Sequence, residues 1–246
     1  MTYCLAMRLD EGLLFMSDTR TNAGLDNVST YRKLHVFRPD DDRLFVLQSA
    51  GSLATTHQLL DQIAHDLSGP GDSLATVDHL SDAAIYLGEL SVRAAKQHEA
   101  TLGANATATF ILGGQVRGDA ADLLLVYPEG NYIRVSDDRP FLQIGEAKYG
   151  KAWLDLAVRS QADLPTAAKI ALSSMISTAL ANLSVGPPYD LGIYERDTYR
   201  LRHARIEGDA PFLNRLSDTW REHLLAAVHS LPDVQPGDLT EFPPDN

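Results

Sequence analysis

The sequence predicts an α+β protein in which two antiparallel β-sheets stack face to face and helices cover their outer surfaces. Apolar stretches of strand length occur in blocks, and a pair of stretches with helical periodicity follows each of the first two blocks. Short turn sequences such as Asp10-Glu11-Gly12 and Pro128-Glu129-Gly130-Asn131 join strands into hairpins. Because neither a repeat nor a low-complexity linker interrupts this pattern, we expect one domain over residues 1–230 and an acidic, proline-containing tail over residues 231–246.

The first block predicts two hairpins, made of strands at residues 3–9 and 13–17 and at residues 33–37 and 43–49, with a polar stretch over residues 22–31 between them. The later elements follow in chain order as helices at about 52–67 and 78–99, strands at about 106–112, 123–127, 132–135 and 141–144, helices at about 147–158 and 165–183, strands at about 190–194 and 199–204, and a helix at about 214–228.

Composition excludes several classes of function. A formal net charge of -12 over 246 residues argues against a nucleic-acid partner and against an anionic membrane surface. The single cysteine, Cys4, cannot form an internal disulfide, and neither a signal peptide nor an apolar run of about 20 residues is present, so a cytoplasmic location is expected. The eight histidines show no paired metal-ligand spacing and no phosphate-binding glycine motif occurs, so neither a metal nor a cofactor is expected.

Hairpin geometry brings four residues of the first block toward one end of the sheets. A turn centred on Asp10-Glu11 places Asp18 close to Thr2, because paired positions in an antiparallel hairpin have a constant sum. Lys33, at the start of the third strand, shares an edge with Gly51 at the end of the fourth in the same way. If the two hairpins stack, all four groups converge.

The four groups form a chemically coherent set. A threonine hydroxyl needs a base, and a terminal threonine carries its own α-amine, whose ordinary pKa is about 7.7–8.0. An ammonium from Lys33 would favour the free amine, Asp18 would be its counter-ion, and the Gly51 N–H would stabilise an oxyanion. Taken singly, each residue also has an ordinary structural explanation, as coil, surface ion pair, edge charge or turn.

Order and spacing indicate a family. The segments Ser17-Asp18-Thr19-Arg20-Thr21-Asn22-Ala23-Gly24 and Ile144-Gly145-Glu146-Ala147-Lys148-Tyr149-Gly150, with Arg32-Lys33 and Ala50-Gly51 between them, resemble proteasome β subunits. More narrowly, they resemble the bacterial ancestral β-subunit (Anbu) group, through nearly the whole chain to about Tyr194. The resemblance implies a four-layer αββα sandwich of the N-terminal-nucleophile hydrolase type and subunits that assemble into rings or spirals.

The resemblance also implies roles for individual residues. Thr2 matches the nucleophile and base, Asp18 and Lys33 the charged pair, Gly51 the oxyanion donor, and Arg20 the arginine that braces the aspartate turn. Three positions depart from the family pattern or match it loosely. Glu146 stands where proteasome β subunits carry a serine, and would raise the pKa of the α-amine in opposition to Lys33, while Ser184 and Asp190 match later supporting residues loosely. Thr21, Tyr31 and Ser49 are predicted to line the substrate pocket.

The predicted function is therefore a threonine-type peptidase that acts as a self-assembling homo-oligomer on peptides or unfolded proteins once Met1 has been removed from Thr2. Two alternatives remain open from the sequence, namely a non-proteolytic assembly or binding module with a vestigial site, and a small-molecule amidase on the same fold. Cooperation with an ATP-driven unfoldase is also left open.

Overall fold

A computed structural model describes residues 1–22, 28–235 and 238 of the chain. It divides into two compact units, Met1–Gly208 and Asp209–Asn246. Ala23 and Gly24 of the family motif lie outside the described residues, as does most of the predicted tail. The single domain over residues 1–230 stays a prediction.

The first unit contains twelve strands within its described residues. They are β1 (Tyr3–Leu9), β2 (Gly12–Asp18), β3 (Arg20–Asn22), β4 (Val28–Thr30), β5 (Leu34–Phe37), β6 (Arg43–Gly51), β7 (Ala108–Val116), β8 (Asp122–Val126), β9 (Tyr132–Arg134), β10 (Phe141–Gly145), β11 (Tyr189–Glu195) and β12 (Leu201–Ile206). The α-helices of this unit are α1 (Leu53–Asp66), α2 (Leu80–Leu102), α3 (Ala147–Ala157) and α4 (Leu164–Ala181), with a 3₁₀ turn at Gly103–Ala106.

The strands form two five-stranded antiparallel sheets and one short ribbon. The first sheet has the order β10-β1-β2-β11-β12, the second has the order β5-β6-β7-β8-β9, and β3 pairs with β4. In the β1–β2 hairpin Cys4 lies opposite Ser17, so the same register places Thr2 opposite Thr19 and next to Asp18. The predicted proximity of Thr2 and Asp18 follows from this register.

The core between the two sheets consists of alternate residues of their strands, because successive side chains of a strand point to opposite faces. Cys4, Ala6 and Phe15 of the first sheet belong to the same buried cluster as Val46 and Ile111 of the second. Burial of this inner face is what holds the two hairpins together.

Helices cover both outer faces. Helices α1 and α2 pack on the second sheet, while α3 and α4 pack together and against the first. Ser52 caps α1 by accepting the Thr55 N–H, and Asp163 caps α4 by accepting the Thr166 N–H with Pro165 in the first turn. The layers therefore follow the order αββα, and the predicted fold class is confirmed.

Helix α4 is apolar as well as long. Among the described residues it is the helix whose length and composition would suffice to cross a membrane, with a mean hydropathy of 1.2. Its buried residues, Ala167, Ala171, Leu172 and Met175 among them, belong to a helix that packs against β1 and β2. The high apolar content of α4 is therefore that of a helix that packs against the core.

The structure differs from the predicted elements at the polar stretch after β2. The sequence predicts only a polar stretch over residues 22–31, whereas the structure pairs β3 with β4 at its two ends, with Arg20 opposite Thr30. Their polar sequences carry no apolar alternation, so periodicity could not indicate the ribbon.

The second unit contains helix α5 (Pro211–His229), which begins three residues before the predicted position, with Pro211 in its first turn.

Candidate active site

A buried ion pair lies at the end of the first sheet where β2 ends. Lys33 Nζ donates to Asp18 Oδ1 at 2.7 Å and to the Arg20 carbonyl oxygen at 2.7 Å. Asp18 is fully buried and Lys33 is 5% exposed. Because Lys33 directly precedes β5 of the second sheet, the pair links the two sheets at this end.

The environment of Asp18 acts on its carboxyl in two directions. Burial raises the pKa of Asp18 above its ordinary value, while the charge and hydrogen bond of Lys33 and the N–H groups of Tyr3 and Gly186 oppose that rise. The Tyr3 N–H donates to Asp18 Oδ1 at 2.9 Å. Lys33 thus supplies the largest of the effects that oppose the burial-induced rise in the pKa of Asp18.

Thr2 lies directly beside this pair, since it precedes Tyr3 and the Met1 carbonyl oxygen is 3.4 Å from Lys33 Nζ. With Met1 attached, the nitrogen of Thr2 is an amide nitrogen and cannot accept a proton. Removal of Met1 would create the α-amine that the predicted chemistry requires.

The Gly51 N–H points toward the same end of the sheets, where Thr2 and Lys33 lie. The Ser49 N–H donates to the Lys33 carbonyl oxygen and the Ser52 N–H donates to the Thr107 carbonyl oxygen, so these two groups point to opposite sides of β6. N–H direction alternates along a strand, and the Gly51 N–H therefore points to the Ser49 side, past the start of β5. Gly51 has φ +114°, and an added Cβ would lie 2.5 Å from the Thr107 carbonyl oxygen, so the position requires glycine.

A cavity of about 320 Å³ opens at this point. Its lining includes Thr2, Lys33 and Gly51. The residues predicted to form the substrate pocket, Thr21, Tyr31 and Ser49, line it as well. The structure thus brings the four predicted catalytic positions and the three predicted pocket positions together; their roles stay predictions.

Glu146 supports Thr2 through the main chain. Its N–H donates to the Thr2 carbonyl oxygen at 2.7 Å, and its carboxylate, 9% exposed, accepts from Asn182 Nδ2 at 2.8 Å and lies 3.7 Å from Lys148 Nζ. The strand-to-helix junction at Gly145 therefore fixes the position of the Thr2 carbonyl.

The remaining supporting residues lie around this centre. Arg20 donates to the Leu183 carbonyl oxygen at 2.8 Å, in the loop whose Gly186 N–H faces Asp18, and its bracing role stays a prediction. The Ser184 N–H donates to Asn182 Oδ1 at 3.0 Å within that loop.

Asp190 lies on β11, opposite Ser17 of β2. Its carboxylate is 1% exposed and accepts two hydrogen bonds from Arg205, at 2.8 and 3.0 Å. These contacts join β11 to β12 and give Asp190 a structural role within the first sheet.

The sequence predicts no role for Gly145, Asn182 or Arg32. In the structure Gly145 lies against the Thr2 carbonyl, Asn182 donates to Glu146, and Arg32 lines the cavity. Gly145 has φ +81°, and an added Cβ would lie 2.0 Å from the Thr2 carbonyl oxygen. The turn between β10 and α3 was a sequence signal for Gly145, whereas Asn182 reaches Glu146 by tertiary packing alone.

We expect Gly145→Ala to displace Thr2 while the protein still folds, and to lower by about tenfold or more the hydrolytic activity that the sequence predicts for the Thr2 site. The matched control is Gly118→Ala, because Gly118 also has positive φ (+95°) but nothing lies within 4 Å of an added Cβ. Both variants carry backbone strain of about 1–3 kcal/mol, so thermal unfolding measures the strain and peptide hydrolysis measures the displacement. Equal activity in the two variants would contradict the positioning role.

Stacked antiparallel sheets between helical layers, with a threonine at position 2 beside a buried lysine–aspartate pair, define the proteasome-like class of N-terminal-nucleophile folds. Solved structures give the family. The chain is 43% identical to an Anbu (Gly-1) mutant from Hyphomicrobium sp. strain MC1, with 96% of this chain and 100% of that chain covered and a TM-score of 0.89. It is 39% identical to Anbu (ancestral beta-subunit) from Yersinia bercovieri, with 95% and 100% covered and a TM-score of 0.90.

A third similar structure is described as the helical assembly of the Anbu complex from Pseudomonas aeruginosa, at 37% identity, 96% and 99% coverage and a TM-score of 0.91. No protein-family model and no curated protein matches the sequence. On the identity and coverage of these structures, the chain belongs to the Anbu family of ancestral β subunits.

Proposed function

We propose that this protein is a proteasome-like threonine-type peptidase that becomes active when Met1 is removed. The observation that supports the proposal is the contact between Lys33 Nζ and Asp18 Oδ1, 2.7 Å long and buried, directly beside Thr2. A buried lysine–aspartate pair costs desolvation energy, and ionisable groups in such environments cluster at functional sites. Its position next to a cavity therefore favours a role in catalysis.

In the proposed reaction the free α-amine of Thr2 takes the proton of the Thr2 hydroxyl as the Oγ atom attacks the carbonyl carbon of an amide. The Gly51 N–H donates to the oxyanion of the tetrahedral intermediate. The C–N bond then breaks, the leaving amine takes the proton from the α-ammonium, and an acyl ester on Thr2 Oγ remains. Water, deprotonated by the same amine, attacks the ester, and breakage of the C–Oγ bond releases the acid and regenerates Thr2.

Two buried charges tune this base in opposite directions. The Lys33 ammonium disfavours protonation of the α-amine and keeps more of it as free base. The Glu146 carboxylate, on the residue whose N–H holds the Thr2 carbonyl, favours protonation. Its hydrogen bond from Asn182 and its proximity to Lys148 reduce that effect. Their balance sets the pH range in which the amine acts as base.

The proposal extends to assembly and location. The Anbu complex from Pseudomonas aeruginosa is a helical assembly, and this chain is similar to it over 96% of its length, so a homo-oligomer is the working form that we propose. Peptides or unfolded proteins are the proposed substrates and the cytoplasm is the proposed location. A partnership with an ATP-driven unfoldase stays open.

We expect mass spectrometry of the purified protein to show loss of Met1, since a small second residue permits its removal. A β-lactone or epoxyketone probe should then add one acyl or alkyl group to Thr2. Protein that lacks Met1 yet neither reacts with the probe nor hydrolyses peptides would contradict the proposal and favour a binding module. A series of peptides of increasing length separates a peptidase from a small-molecule amidase.

A further inference from the structure

The cavity beside Thr2 is cationic although the protein as a whole is acidic. The charged side chains of its lining are Arg32 and Lys33, and no aspartate or glutamate of the described residues lines it. Lys33 is ion-paired with Asp18, with Nζ 2.7 Å from Oδ1. Arg32 is exposed and forms no ion pair with any residue in the ranges 1–22 and 28–235. Its charge is therefore unpaired within the described part of the chain, at the mouth of a cavity in a protein with a net charge of -12.

Neighbouring groups do not cancel this charge. The ring of His57 lies 6.0 Å from that of Tyr31, which lines the cavity. Burial and the charge of Arg32 both lower the pKa of His35, to about 4, so this nearby imidazole is neutral at physiological pH. Asp190, whose carboxylate also acts on His35, already accepts hydrogen bonds from two guanidinium nitrogens of Arg205. Within the described part of the chain, the guanidinium of Arg32 thus remains a positive charge at the cavity, while the Glu146 carboxylate is engaged by Asn182 and Lys148.

We propose that Arg32 selects substrates that carry a carboxylate next to the bond to be cleaved, by pairing its guanidinium with that carboxylate. This inference rests on the proposed function, since it names the substrate class of the same site. A guanidinium is charged at every physiological pH and presents a planar pair of N–H donors that matches a carboxylate. The carboxylate belongs either to an acidic side chain or to the free C-terminus of a short peptide, and the two sources are distinguishable by experiment.

The first experiment compares amide substrates that differ in the residue before the cleaved bond, with glutamate, glutamine, leucine or lysine at that position. We expect kcat/KM for glutamate to exceed that for its isostere glutamine by about tenfold or more. A second pair of dipeptides, with a free or an amidated C-terminus, measures the other source. Increasing salt should reduce the preference, because the arginine is exposed and therefore screened.

Variants assign the preference to Arg32. Arg32→Gln should lose the preference for glutamate, and Arg32→Glu should reverse it in favour of lysine. Arg93→Gln is the matched control, since Arg93 is an exposed arginine on α2 and does not line this cavity. A neutral β-lactone should label the protein and Arg93→Gln at similar rates. It should also label Arg32→Gln on Thr2, which verifies that the nucleophile is present in that variant.

A binding measurement tests the inference independently of hydrolysis. In the Thr2→Ala protein, calorimetry should give a Kd for the glutamate peptide about tenfold lower than that for the glutamine peptide, and Arg32→Gln should abolish the difference. Equal Kd values for the two peptides, or a preference that persists in Arg32→Gln, would overturn the role of Arg32. Absence of labelling and of hydrolysis together with a charge-dependent Kd would overturn the proposed peptidase, and would leave only the recognition of a carboxylate by Arg32.

Discussion

Thr2→Ala is expected to abolish peptide hydrolysis and covalent labelling, with a loss of at least about 10³-fold in kcat. The reason is specific to this site, because in the proposed reaction Thr2 supplies both the attacking oxygen and, after removal of Met1, the amine that takes its proton. Alanine keeps that amine and removes the hydroxyl. The measurement is single-turnover hydrolysis of a fluorogenic peptide together with intact-mass analysis after treatment with a β-lactone.

Thr2→Ser is the matched control, since serine keeps a hydroxyl at the same place and is also small enough to permit removal of Met1. It should retain measurable hydrolysis and labelling, while both variants should show the thermal stability of the unsubstituted protein. Residual hydrolysis in Thr2→Ala at the level of Thr2→Ser would mean that another residue is the nucleophile.

Lys33→Met is expected to lower the free energy of unfolding by roughly 3–5 kcal/mol, in addition to removing activity. Methionine fills a similar volume but leaves Asp18, which is fully buried, without the ammonium that lies 2.7 Å from its Oδ1 atom. The thermal midpoint should fall on the order of 10 °C, at roughly 2–4 °C per kcal/mol for a chain of this size. Differential scanning calorimetry at one fixed protein concentration measures the change.

The loss in Lys33→Met should depend on pH with a defined sign. Burial already raises the pKa of Asp18, and removal of Lys33 removes the main opposing cause, so the folded-state pKa rises further above the unfolded value of about 3.9. Between those two values the folded state binds more protons than the unfolded state, and stability therefore falls as pH rises. The stability difference from the unsubstituted protein should be small near about pH 4 and grow toward neutral pH.

The double variant Asp18→Asn/Lys33→Met removes both charges and serves as the control. It should recover much of the lost stability at neutral pH without recovering activity, because no charged group is then left buried without a partner. If the single and double variants were equally unstable at every pH, the packing of the lysine chain rather than its charge would be responsible.

Much of the architecture could be predicted because it depends on local pattern. Apolar periodicity and turn residues indicated the strands of both five-stranded sheets and the helices outside them. The ribbon of β3 and β4 was missed, since its strands are three residues long and polar. Such a short pair has no periodicity of its own.

The sequence by itself determined that Thr2 and Asp18 are neighbours, because the length of one hairpin turn decides which residues of its two strands pair. The tertiary structure alone decided the other contacts of the site. Stacking of two sheets brought Lys33 to Asp18, and packing of α3 against α4 brought Asn182 to Glu146. Hydrogen-bond register acts over a few residues and can be counted along the chain, whereas contacts between layers depend on how buried side chains fit across them. Register within one hairpin thus accounts for the proximity of Thr2 and Asp18, and stacking of the second sheet adds Lys33 and Gly51.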